Sequence, residues 1–175
     1  MKKSKLIALC GMLASLSLVL MFLGSVISIF IYVAPLLCSL IMMVVCDAAG
    51  KKYAFITYLA VSIISVLFLP DKECALTYAF FFGYYIIIKD FLEKIKPKWL
   101  SFVSKWAVYN LGMLASQLLL IYAFGIPLDM PWGKWGIIVL IVLFNVVFFT
   151  YEFMLGRILM IYDLKYRNKV HKLLK

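Results

Sequence analysis

Six apolar spans alternate with loops whose basic residues fall almost entirely on one side. The spans read Leu6–Leu23, Val26–Val45, Tyr53–Leu69, Cys74–Ile88, Phe102–Phe124 and Trp135–Tyr162. Lys2, Lys3 and Lys5 precede the first span, and Lys51 and Lys52 follow the second. Lys89, Lys94, Lys96, Lys98 and Lys105 cluster around the joint between the fourth and fifth. Arg157, Lys165, Arg167, Lys169, Lys172 and Lys175 run from the end of the sixth into the tail. Of the 18 Lys and Arg residues, only Lys72 and Lys134 fall in the alternate loops. Cytoplasmic loops carry an excess of Lys and Arg, so this asymmetry orients the chain. The expectation is an all-α polytopic membrane protein with six transmembrane helices and both termini cytoplasmic.

Hydrophobic residues make up 66% of the chain, whereas a soluble domain is about half apolar. Six spans of roughly 20 residues need about 120 residues. The 175 residues therefore form a single integral membrane domain, 1–175, with short loops and a basic tail. The first span has a basic start, but no small-x-small cleavage site closes its run, so an uncleaved helix is expected. The net charge of +10 is not a nucleic-acid footprint. It concentrates on the inner side, where topology and anionic lipid headgroups account for it, and no nucleic-acid partner is expected. Cys10, Cys38, Cys46 and Cys74 show no metal-ligand or disulfide spacing and read as small packing residues.

Turn chemistry marks the joints. Gly24-Ser25 is expected to join spans one and two, Asp47 to Lys52 to turn the chain inside, and Pro70-Asp71 to end span three and cap span four. Span four, 15 residues by this reading, reaches about 22 Å against a hydrocarbon core of about 30 Å. The Lys89–Lys98 stretch reads as an extra turn at the interface. The longest outer loop, Gly125 to Gly133, holds Asp129, two prolines and Trp132, and with Trp135 it places aromatic rings at headgroup level.

Span four carries an aromatic run in which Tyr78, Phe81, Phe82 and Tyr85 share one face. That face either packs against neighbouring helices or holds a flat ligand. Asp71, Lys72 and Glu73 sit directly above it, either as a solvated cap or as an ionic group for a ligand entering from outside. Asn110 and Gln117, seven apart, share a face of span five, and Asn145 lies about midway down span six. Such residues either hydrogen-bond between helices or serve function. Glu152 is expected to pair with Arg157 or Lys105 near the inner surface. Glu73, Tyr78, Phe82, Gln117, Tyr122 and Asn145 are the expected lining of an outward-facing ligand cavity between spans four, five and six. No catalytic cluster is present: the single His171 lies in the tail, and no phosphate-cradling glycine loop occurs. Neither an enzyme nor a cofactor is expected.

In the first span, Cys10 and Ala14, and likewise Gly11 and Ser15, lie four apart. Small-x-x-x-small pairs let a second helix approach closely, whether inside the molecule or from a partner. A basic start, this small-residue stripe and five further short-looped spans resemble the substrate-binding S component of energy-coupling factor (ECF) transporters. In that family the first helix carries an Ala-x-x-x-Ala motif that docks a transmembrane partner; here Cys10/Ala14 or Gly11/Ser15 take its place, in degenerate form. The resemblance implies a small-molecule (vitamin-like or other micronutrient) binding subunit of a bacterial uptake transporter. It implies a multi-pass protein of the plasma membrane, with a transmembrane coupling subunit and separate ATPases as partners. The alternative is a non-transporting structural, assembly or regulatory membrane protein.

Overall fold

The computed structural model describes residues 3–27, 30–125 and 134–166. They form α1 (Lys3–Val26), α2 (Val33–Ala49), α3 (Lys51–Phe68), α4 (Lys72–Glu93), α5 (Lys98–Phe124) and α6 (Lys134–Ile161). A π turn over Tyr162–Tyr166 follows α6. All regular structure among the described residues is helical. Five of these helices are long and apolar enough to cross a membrane; α2 is a shorter apolar helix of 17 residues. Their outward faces are apolar, with Met12, Phe68, Leu111 and Val142 each more than half exposed. A continuous face of this kind needs lipid or another apolar surface against it. Asp129, Trp132, Arg167, Lys169 and His171 lie outside the described residues.

Two expected boundaries move. Gly24-Ser25 is not a joint: α1 runs through it to Val26. A Cβ on Gly24 would overlap the Cβ of Ala34, so this glycine is where α2 crosses α1 closely. The second helix consequently starts at Val33, not Val26, with Pro35 in its first turn, where the missing N–H costs nothing. Span four is also longer than the apolar run suggested. At 22 residues it extends about 33 Å, enough to match a bilayer core. Lys89 to Glu93 continues it as helix.

Short turns make neighbouring helices antiparallel. Gly50, at φ +88°, is the single residue between the end of α2 and the start of α3. Asp71 caps α4, its Oδ1 accepting from the amides of Glu73 at 2.7 Å and Cys74 at 3.3 Å. The bundle thus has an Asp71 end, holding the α3–α4 turn, and a Lys96 end, holding the α2–α3 and α4–α5 turns.

The central element is α4. Its most apolar stretch is 61% buried, against 11–28% in the other long helices. It packs on α1, α2, α3 and α5, and reaches α6 through aromatic rings. Tyr78, Phe81, Phe82 and Tyr85 are all buried, so the shared aromatic face is a packing face. Phe81 stands edge-on to Tyr109 at 4.7 Å and Phe82 edge-on to Tyr151 at 5.0 Å, the arrangement aromatic quadrupoles favour. A π turn over Tyr78–Phe82 interrupts α4 in mid-course. A π turn disturbs the helical hydrogen-bond ladder and leaves a carbonyl to be satisfied elsewhere. Tyr58 donates its hydroxyl to the Ala79 carbonyl at 2.8 Å. The next carbonyl, of Phe80, lies against Gly112 of α5, where a Cβ would overlap it.

Candidate functional site

At the Asp71 end polar side chains from two other parts of the chain meet one carboxylate of α4. Glu73, in the first turn of α4, accepts on Oε1 from the Tyr32 hydroxyl at 2.6 Å and from the Gln117 side-chain amide at 3.2 Å. Tyr32 directly precedes α2, and Gln117 lies in the second half of α5. The ring of Tyr32 meets Phe144 of α6 edge-on at 5.8 Å, so all four elements converge here. The carbonyl oxygen of Gln117 is buried and has no hydrogen-bond partner.

The neighbouring charges are engaged elsewhere. Asp71 is occupied by the amides that it caps. Lys72 turns away from Glu73 and donates to the carbonyls of Val66 and Leu69, each at 2.9 Å, at the C-terminus of α3. A cation suits a helix C-terminus, where carbonyls lack partners. Among the described residues no Lys or Arg forms an ion pair with Glu73.

Glu73 and Gln117 of the expected lining thus come together, and Tyr32 joins them. The other expected lining residues do not converge. Phe82 is sealed in the aromatic core, and Tyr78 beside it is fully buried with its hydroxyl unpartnered. Tyr122 is 84% exposed. It lies five residues beyond Gln117, about 140° further round the helix, and so points away from the bundle. Asn145 accepts from the Trp106 indole at 2.6 Å and exchanges longer contacts with Asn110. That pairing lies seven residues from Gln117 on α5, about 10 Å along the axis, and closes the α5–α6 seam.

The Lys96 end holds a second polar cluster. Lys105 donates to Glu152 at 2.7 Å and to Glu93 at 2.9 Å. Lys89 lies 3.5 Å from Glu152 and 3.7 Å from Glu93. Tyr85 donates to the other oxygen of Glu152 at 2.6 Å. Of the two partners expected for Glu152, Lys105 is the one found; Arg157 sits over the Phe153 ring instead. Lys89 and Lys105, at 4% and 7% exposure, are not loop charges but buried ones. Two lysines and two carboxylates balance, so the cluster is electrically self-contained and ties α4, α5 and α6 together. Beside it, Asp47 and Asp90 line a cavity of about 260 Å³ with Lys51 and Tyr162. Asp90 is paired with Lys51 at 2.9 Å, and Asp47 accepts from Tyr162 at 3.1 Å.

In α1 the two small-residue pairs face different ways. Cys10 is buried, and Ala14 packs against the core. Gly11 and Ser15 face outward, and a Cβ on Gly11 would meet nothing within 4 Å. The Ser15 hydroxyl is occupied by the carbonyls of Gly11 and Met12, each at 3.0 Å. Tyr32 and Lys89 were missed from sequence. Tyr32 fell inside a misplaced span, and Lys89 counted as one of many loop lysines. Compared with protein families, with curated protein sequences and with solved structures, the chain matches none.

Proposed function

We propose that the chain is a membrane-embedded solute-binding subunit of an uptake system, with its site at the Asp71 end. The observation that carries this reading is the Glu73 carboxylate, approached by Tyr32 and Gln117 from separate elements beside an unpartnered Gln117 carbonyl. A few convergent polar groups against aromatic walls are what a small-molecule site uses. The self-contained cluster at the Lys96 end needs no ligand and acts as a structural tie.

In this reading the chain crosses the membrane six times. The Asp71 end faces outside and both termini face the cytoplasm, following the basic residues at the Lys96 end and in the tail. The protein sits in a bacterial plasma membrane, as its resemblance to ECF S components implies. The outward Gly11–Ser15 stripe of α1 is the surface for a transmembrane coupling subunit, and separate ATPases supply the energy. Single cysteines at Pro70 and Lys96, both exposed turn positions, test the orientation in a background lacking the native cysteines. A membrane-impermeant thiol reagent applied to intact cells is expected to label the first and not the second. Labelling of both from outside contradicts the topology.

Affinity purification from native membranes tests the function. Recovery of an ATPase-containing complex with a retained metabolite, identified by mass spectrometry, is the expected result. A chain recovered with neither favours the second reading, a structural or assembly protein. The mutually satisfied Asn110–Asn145–Trp106 and Lys–Glu networks, which only join helices, are what favours that alternative.

A further inference from the structure

We infer that the group bound at Glu73 is a primary ammonium, so that the solute is a cationic amine. The inference rests on reading the Asp71 end as a solute site, and it names the ligand's chemistry.

The argument is a count of donors and acceptors. Tyr32 gives its only proton to Glu73, which leaves its oxygen an acceptor. Gln117 gives an amide proton to the same Glu73 oxygen, while its own carbonyl oxygen is buried without a donor. Both bonds end on Oε1 of Glu73, so Oε2 accepts from no described residue. Within this one hydrogen-bonded cluster three acceptors therefore receive no proton from a described residue: the Glu73 Oε2, the Gln117 Oε1 and the Tyr32 hydroxyl oxygen. A primary ammonium carries three N–H donors and one positive charge. It carries as many donors as the cluster has open acceptors and neutralises the carboxylate, which Lys72 does not do because it is spent on the α3 carbonyls. A buried acceptor left unpaired is costly, so a donor from the ligand is strongly favoured there.

Other ligand chemistries fit less well. An anion would meet a carboxylate and two further acceptors. A divalent metal needs several oxygen ligands and more than one charged one, and the described residues gather no group of three metal-ligating side chains. The Tyr32 ring, tied to the carboxylate through its hydroxyl, also suits a cation.

Methylammonium, the smallest primary ammonium, serves as the probe. The full-length protein in lipid nanodiscs is melted in methylammonium chloride, tetramethylammonium chloride and sodium acetate, each against sodium chloride at equal ionic strength. Methylammonium at about ten times its dissociation constant is expected to raise Tm by about 3–6 °C. Tetramethylammonium, which has the charge but no N–H, is expected to give less than half that rise, and acetate none. Glu73→Gln should abolish the rise and Gln117→Leu at least halve it; the second variant decides the matter if the first does not fold. A rise with acetate alone overturns the ammonium assignment while leaving a solute site of different chemistry. No rise with methylammonium, or a rise unchanged in both variants, overturns it as well. Failure of the underlying solute-site reading shows separately, as purified protein that retains no metabolite of any charge.

Discussion

Replacing Glu152 by leucine is expected to lower the melting temperature by roughly 6–20 °C. The substitution leaves Lys89 and Lys105, both almost fully buried, with one carboxylate between them. That carboxylate, Glu93, is half exposed and 3.7 Å from Lys89. It also removes the acceptor of the Tyr85 hydroxyl. Breaking a buried pair from one side costs about 3–5 kcal/mol, because an uncompensated charge remains. Lys105→Met should cost less, since Lys89 is still within 3.5 Å of Glu152. The combined Lys105→Met, Glu152→Leu protein, left with one lysine and one glutamate, should melt above the Glu152→Leu protein. Thermal melting of the three variants in detergent measures the coupling. A Glu152→Leu protein melting within about 2 °C of the wild type would mean that the cluster does not tie the helices.

Gly112→Ala is the second large effect, and its sign is decided by two opposing magnitudes. Alanine is the better helix former by about 1 kcal/mol. The new Cβ, however, would overlap the Phe80 carbonyl, a backbone group fixed in the π turn. Helices α4 and α5 must then separate, which opens the contact between Phe81 and Tyr109. Overpacking of this kind costs about 1–3 kcal/mol, so a net loss of stability is expected. Gly11 is the control. With nothing within 4 Å of its Cβ position, Gly11→Leu should leave the melt unchanged while lowering recovery of the proposed coupling subunit by about tenfold, since a close helix crossing tolerates only small side chains. Equal melting of Gly112→Ala and wild type would contradict the close α4–α5 approach. A destabilised Gly11→Leu would mean that this stripe packs internally.

Parts of this arrangement are legible in the sequence because helix periodicity carries them. The i, i+3, i+4, i+7 spacing of Tyr78, Phe81, Phe82 and Tyr85 marks a face, and that face is buried. Lys105 is recognisable as a partner for Glu152 because both lie near the same end of neighbouring spans. What periodicity does not carry is where a helix ends and which faces meet. The loop at Gly24-Ser25 reads as a turn from its residue types, yet the glycine serves a helix crossing. That shift hid Tyr32, which becomes visible as a site residue only when α2 begins at Val33. The π turn has no sequence signal of its own. Tyr122 was grouped with Gln117 by depth, although five residues on a helix put them on different faces. Lys89 counted as a loop charge because the apolar run stops at Ile88, whereas the helix continues to Glu93.

Solute binding at Glu73 and Gln117, and not along the α5–α6 seam, is the central claim. Its most direct test is equilibrium dialysis of the metabolite recovered from native membranes against the wild type, Gln117→Leu and Asn145→Leu. Gln117→Leu is predicted to weaken binding by about tenfold or more, the loss of one or two hydrogen bonds to a charged ligand, with a melt close to that of the wild type. Asn145→Leu is predicted to lower the melt and leave the affinity within about twofold, because its partners are Trp106 and Asn110. The opposite pattern, with binding lost in Asn145→Leu and retained in Gln117→Leu, would contradict the account.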